Sequence, residues 1–298
     1  MPTLRSWAPG VLAPAIAAVV SLLLTVITWR LFVRTTRGQL VEEAARIGSR
    51  ETREALSGMT STLLGFVSVP LLVVVLAVAV LVSLVQRRWS IAIAAIVVLA
   101  GSNLTTQVLQ EVLERPADDA SVIRLNSFPS GHATVAASIA AAALLVLPVR
   151  WRPPVAVLGA LFAAAMGIST MVGTGGGAWH RGSDVVAAML ICTFWYFAVE
   201  TALAAVAHPG GRSRSGGNPP PALVRIPLRI LTALGFLCLG VGGGALAATA
   251  VQAPIGSDLG HQVAFIGSTF GVAAVAFFTH AMMLRLRPHH PQPRTELL

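Results

Sequence analysis

Residues 129–149 read PSGHATVAASIAAAALLVLPV, a polar Pro-Ser-Gly-His mouth that runs straight into an apolar stretch. Ser130 is a residue type that caps a helix, accepting from an orphan N–H of the first turn. The amides of that turn then point outward with the positive end of the dipole, so such a terminus suits an anion. Gly131 permits close approach of a ligand to the backbone. His132 titrates near neutrality and is able to pass a proton to a leaving oxygen.

Outward from this stretch the chain repeats its apolar character. Segments of spanning length, about 20 residues each, lie near 11–32, 62–85, 91–113, 132–149, 155–173, 184–207, 229–252 and 263–284. Hydrophobic residues make up 55% of the chain and charged residues 11%, and the mean hydropathy is +0.77. That balance excludes an ordinary soluble domain and predicts an all-α integral membrane protein of about eight transmembrane helices. The first stretch is followed by Trp29-Arg30 with no small-residue cleavage site, so it is expected to stay as an anchor.

The net charge is +9 and every cation is an arginine. The arginines are not clustered with aromatics on one surface, which argues against a nucleic-acid partner. Instead Arg87, Arg88, Arg150, Arg152, the 212–229 segment, Arg285, Arg287 and Arg294 fall at alternate helix ends. The positive-inside rule assigns those ends, and both termini, to the cytoplasm. The expected location is a multi-pass place in a cell membrane, bacterial by its composition. Cys192 and Cys238 fall inside helices, where a free buried thiol is the default.

Five regions follow. Residues 1–61 form an anchor and an external amphipathic segment, 62–207 a membrane core, and 208–228 a cytoplasmic linker rich in Gly and Pro. Residues 229–284 give two accessory helices, and 285–298 a cytoplasmic tail. Within 33–60 the pairs Glu42/Arg46 and Arg50/Glu54 have i, i+4 spacing, which predicts a short helix on the bilayer surface, acting as a lid or spacer. Glu200 and His280 are expected to snorkel from helix ends.

Two further motifs open on the same side as Pro129–His132. One is Arg115-Pro116. The other is His180 with Asp184, placed on one helix face by their separation. A carboxylate bonded to one imidazole nitrogen fixes the tautomer and aims the other nitrogen outward, the logic of an activated nucleophile. The short loops on this side carry three arginines, Arg115, Arg124 and Arg181, each beside a motif. Jointly the three motifs read as a phosphate site. Asn103, Gln107, Gln110 and Glu114 form a polar stripe ending at Arg115, either the wall of a polar cavity or an interhelical hydrogen-bond seam.

The order Arg-Pro, Pro-Ser-Gly-His, then His, three residues, Asp resembles the type 2 phosphatidic acid phosphatase superfamily over roughly residues 100–205. The resemblance implies a six-helix phosphatase core with two C-terminal helices added, and no metal or cofactor. It implies that Arg115 binds phosphate, Ser130 and Gly131 cradle it, and His132 is the general acid. His180 becomes the phosphorylated nucleophile and Asp184 orients it. The substrate would be a lipid phosphate or diphosphate held in the membrane, such as phosphatidic acid, phosphatidylglycerol phosphate or a polyprenyl diphosphate, with the site facing the extracytoplasmic side.

Two positions depart from the pattern. Val108 stands where the first motif has Lys. Gly173-Thr174, or Ser169-Thr170 in a shifted alignment, stand where the third has Ser-Arg. Arg124 and Arg181 are the expected replacements for the lost charge. The alternatives to hydrolysis are a lipid phosphotransferase and a catalytically inactive membrane protein that binds lipid head groups; sequence alone says nothing of oligomeric state.

Overall fold

The computed structural model describes residues 9–66, 69–85, 87–115, 126–174, 177–207 and 222–286. Among them are nine α-helices: α1 (Pro9–Thr28), α2 (Thr36–Phe66), α3 (Val69–Val85), α4 (Trp89–Val112), α5 (Gly131–Val146), α6 (Arg152–Val172), α7 (Gly182–Ala207), α8 (Ala222–Gln252) and α9 (Asp258–Leu286). There is no strand among the described residues, only one bridge between Thr174 and Gly177. The molecule is an all-α integral membrane protein. The apolar stretches read from the sequence are largely helical, with 62–85 divided between α2 and α3, and six helical segments are long and apolar enough to span a bilayer.

Two of the eight expected stretches form shorter helices, and the six spans become seven if α2 and α3 count as one bent span. At 1.5 Å per residue, α3 with 17 residues and α5 with 16 fall short of a hydrocarbon core of about 30 Å. Helix α5 stops at Leu147, the residue before Pro148, and it is central. Nearly every side chain from Ala133 to Val146 is buried, and α4, α6, α7 and α3 surround it. Its alanines let neighbours approach closely, which is how helices associate where lipid removes the hydrophobic incentive. At its lower end Leu144, Leu145, Tyr196 and Phe197 form the main core with Leu231 and Ala281.

Helix α1 lies along α7 and turns its Leu12, Ile16, Leu23 and Ile27 face outward, as a lipid-facing helix should. Helices α8 and α9 pair through Phe236 on Phe278, ring centroids 5.0 Å apart and nearly perpendicular. The linker expected over 208–228 ends sooner, because α8 already begins at Ala222. Arg225 and Arg229 masked the apolar period there. The last helix also packs against α6, α7 and α2. Glu200 and His280 do not snorkel; both are buried.

The largest departure from the sequence reading is α2. From Thr36 on, the 33–60 segment is part of one 31-residue helix, preceded by a π-helical turn at Trp29–Val33. It crosses the end of the bundle where α6 stops and α7 and α9 begin. Its attachments match the helix dipoles. Arg37 donates to the carbonyls of Ala250 and Ala253 at the end of α8. Arg53 Nε donates to Val172 O at the end of α6, 2.7 Å, and Thr60 Oγ1 to Gly173 O, 2.9 Å.

Candidate active site

The ends of α4 and α6 and the starts of α5 and α7 converge at one end of the bundle. Ser130 caps α5 as its sequence predicts, its side chain accepting from Ala133 N–H. Its own N–H donates to Asp184 O, 2.9 Å, so Ser130 is a joint between the second and third motifs. None of the described residues lies within 4 Å of where a Cβ would stand on Gly131, so packing among them does not require glycine there. The loop before α5 is tied to α4: Gln110 Nε2 donates to Pro129 O, 2.6 Å, and Asn126 Nδ2 donates to the carbonyls of Leu109 and Gln110.

The α6–α7 loop returns sharply. Gly173 has φ +77°, and a Cβ on it would stand 1.9 Å from Gly177 O. A serine cannot occupy that position, which explains the departure there from the third motif. Trp179 and His180 N–H groups both donate to Thr170 O, 3.1 Å, bringing His180 back over the end of α6. In the shifted alignment, Ser169 and Thr170 hydroxyls bond to carbonyls of their own helix.

His180 precedes α7 instead of sitting on it, so the pair does not share a helical face as the spacing suggests. Asp184 is in the first turn and reaches back, its Oδ2 accepting from Arg181 N–H at 3.0 Å, in the manner of a capping box. The same oxygen accepts from Ser127 Oγ, 2.7 Å. Its Oδ1 takes Arg115 Nη2 at 2.8 Å. His180 Nδ1 stands 3.1 Å from Ser127 O and 3.5 Å from Asp184 Oδ2. A backbone carbonyl only accepts, so Nδ1 carries a hydrogen, and in the neutral imidazole Nε2 is then the nitrogen with the free lone pair. Burial, then the neighbouring His180, lowers the pKa of His132 from its ordinary value, and its ring meets Trp179 at 5.3 Å.

Arg115 and Arg181 are both brought to this point and both buried. Arg124 and Pro116 lie outside the described residues, as do Gly175 and Gly176, the 208–221 stretch and the tail from 287. Burial, then the neighbouring Arg115, lowers the pKa of Arg181 from its ordinary value, and Glu42, Asp184 and Glu43 oppose this. The polar stripe divides. Asn103 bonds Ser138 Oγ across to α5, as Thr106 bonds Thr134, 2.8 Å, while Gln107 and Glu114 are exposed. The part that faces protein is an interhelical seam.

Sequence reasoning missed Ser127, Glu42 and Glu43. Glu42 was read as the i, i+4 partner of Arg46, but Arg46 forks onto Glu43. Glu42 points to the motifs: its Oε1 accepts from Ser183 N–H, 2.9 Å, and its Oε2 stands 3.5 Å from Arg115 Nη1. Arg181 Nη2 is 3.8 Å from Glu43 Oε2. Burial, then Asp184, raises the pKa of Glu42 against the pull of the arginines. No spacing rule reports a carboxylate that acts across more than a hundred residues. Among the described residues no cluster of three or more His, Cys, Asp or Glu has a metal-holding arrangement.

The described helices thus form a membrane bundle with a carboxylate-backed imidazole and two buried guanidiniums at one end. The model of the PAP2 superfamily matches residues 92–205, most of the segment from α4 through α7. No curated protein and no solved structure matches the chain.

Proposed function

We propose that the chain is a membrane lipid phosphatase that hydrolyses a phosphomonoester or diphosphate of a lipid at the extracytoplasmic face. The observation that carries this reading is the state of His180. Ser127 O and Asp184 hold its Nδ1 hydrogen, so Nε2 is the nucleophilic nitrogen.

Nε2 attacks phosphorus, the bond from phosphorus to the lipid oxygen breaks, and His132 gives its proton to that oxygen. Arg115, Arg181 and the first-turn amides of α5 balance charge on the other phosphoryl oxygens. Water then attacks the phosphohistidine and gives its proton to His132. The P–N bond breaks, phosphate leaves, and both imidazoles are restored. Asp184 holds the imidazolium that forms at His180 without taking its proton.

The test is phosphate release by detergent-purified protein from a panel of lipid monophosphates and diphosphates in chelator-containing buffer, beside His180→Ala. Release that persists with chelator and disappears in the variant is expected. Lack of release from every lipid, or equal release by His180→Ala, overturns the reading.

A further inference from the structure

We propose that the carboxylate of Glu42 occupies the seat of the substrate's phosphoryl group, so that α2 supplies an internal anion which must give way before a substrate binds. The inference rests on the phosphatase reading and adds its regulation. Helix α2 lies outside the 92–205 segment that the family model matches, yet Glu42 is buried at the centre of that segment's site.

The seat has the chemistry of an anion site. Ser183 N–H, held by Glu42 Oε1, belongs to the first turn of α7, where the helix dipole favours negative charge. Arg181, the residue before α7, has a cationic side chain that cannot cap those amides, so the acceptor comes from another helix. Arg115 holds Asp184 at 2.8 Å and Glu42 at 3.5 Å, so Glu42 is its looser partner. The two residues that Glu42 contacts keep further donors in reserve: Arg115 Nε and Ser183 Oγ are buried without a hydrogen-bond partner among the described residues. A carboxylate has two oxygens, whereas a phosphomonoester presents three. A small cavity beside these donors is lined by Glu42, Arg46, Arg181, His180, Met171 and Phe265, so Glu42 borders the nucleophile.

Charge gives the same answer. Arg115, Arg181 and Asp184 together carry one net positive charge. Glu42, Glu43 and Arg46 of α2 cancel it. An incoming anion therefore meets a formally neutral cluster, and withdrawal of Glu42 makes it cationic. The ties of α2 through Arg37, Arg53 and Thr60 end on backbone carbonyls and do not depend on Glu42.

The experiment is calorimetric titration of the full-length, detergent-purified protein with inorganic phosphate, comparing wild type, Glu42→Gln, Glu42→Asp and Arg115→Ala. Glutamine keeps an acceptor for Ser183 N–H and loses the competing charge, so phosphate should bind about 10-fold tighter or more, since like-charge juxtaposition is costly. Aspartate draws the carboxylate back by one methylene and should give a smaller gain; it also reads the proposal if the glutamine variant fails to fold. Equal or weaker binding in the folded Glu42 variants, with Arg115→Ala abolishing it, overturns the internal anion and leaves the phosphatase reading standing. Absence of phosphate binding in every protein overturns both. The same titration with a short-chain phosphatidic acid, in a His180→Ala background, separates sources: a gain shared with free phosphate assigns the seat to the phosphoryl group, and a gain with the lipid alone assigns it to the head group.

Discussion

The ends of α4 to α7 and the helix α2 meet at the same charged cluster, but they are built on different terms. The first region is locally determined: a capping serine, an Asp reaching back to Arg181 N–H, and a glycine turn at Gly173 whose positive φ sends the chain back. Helix α2 is determined by what it lies on. It meets the other helices at their ends, glutamate to the start of α7 and arginine to the ends of α6 and α8, following the sign of each dipole. The contrast teaches that the motif region should govern chemistry, while α2 should govern stability and access.

The strongest way to break that division is Asp184→Asn. The amide keeps the shape but loses the charge that Arg115 Nη2 and Ser127 Oγ hold, and it no longer favours a charged His180. Turnover is expected to fall by about 1,000- to 10,000-fold, measured as phosphate release at saturating lipid. A loss of less than about 10-fold would place Asp184 with the structural carboxylates.

Ser127→Ala is a finer probe of the same region. It deletes the hydroxyl donor to Asp184 while keeping the carbonyl that faces His180 Nδ1. Loss of a hydrogen bond to a charged group corresponds to about 1.5–3 kcal/mol, so kcat should drop by about 10- to 100-fold with KM nearly unchanged. A change confined to KM would move Ser127 from orienting the nucleophile to holding substrate.

The smallest effect belongs to α2. Arg53→Ala removes a cation from the carbonyl of Val172, a helix-end contact of about 0.3–1 kcal/mol. Thermal unfolding in detergent should shift down slightly, and kcat at saturating substrate should hold. A fall in kcat comparable to that of Ser127→Ala would erase the distinction between the two regions.

Much of this was legible in the sequence, for physical reasons that differ by element. The helices show because apolar runs of spanning length have few alternatives in a bilayer. Ser130, His132, His180, Asp184, Arg115 and Arg181 show because short-range motif spacing is a local property. Helix α2 shows only as charge alternation, since its amphipathic pattern cannot say which surface it meets. The pair Glu42/Arg46 illustrates this: either carboxylate, at 42 or 43, is within helical reach of Arg46, and tertiary placement decides that Glu43 takes it. Ser127 was silent because one serine in a loop has no pattern; its role exists only once His180 and Asp184 are folded beside it.

The closeness of α2 to the start of α9 has one more consequence. A Cβ on Gly48 would stand 2.0 Å from the carbonyl oxygen of His261, so the two backbones touch with no side chain between them. A single methyl at 48 would act as a shim. The helix would ride up off α9, and Glu42, on the same rod fewer than two turns away, would be carried with it. The clearance of one hydrogen atom on Gly48 thus sets the height at which an acidic side chain hangs above His180, and the helix pair at the end of the chain fixes how near the N-terminal region comes to the motifs.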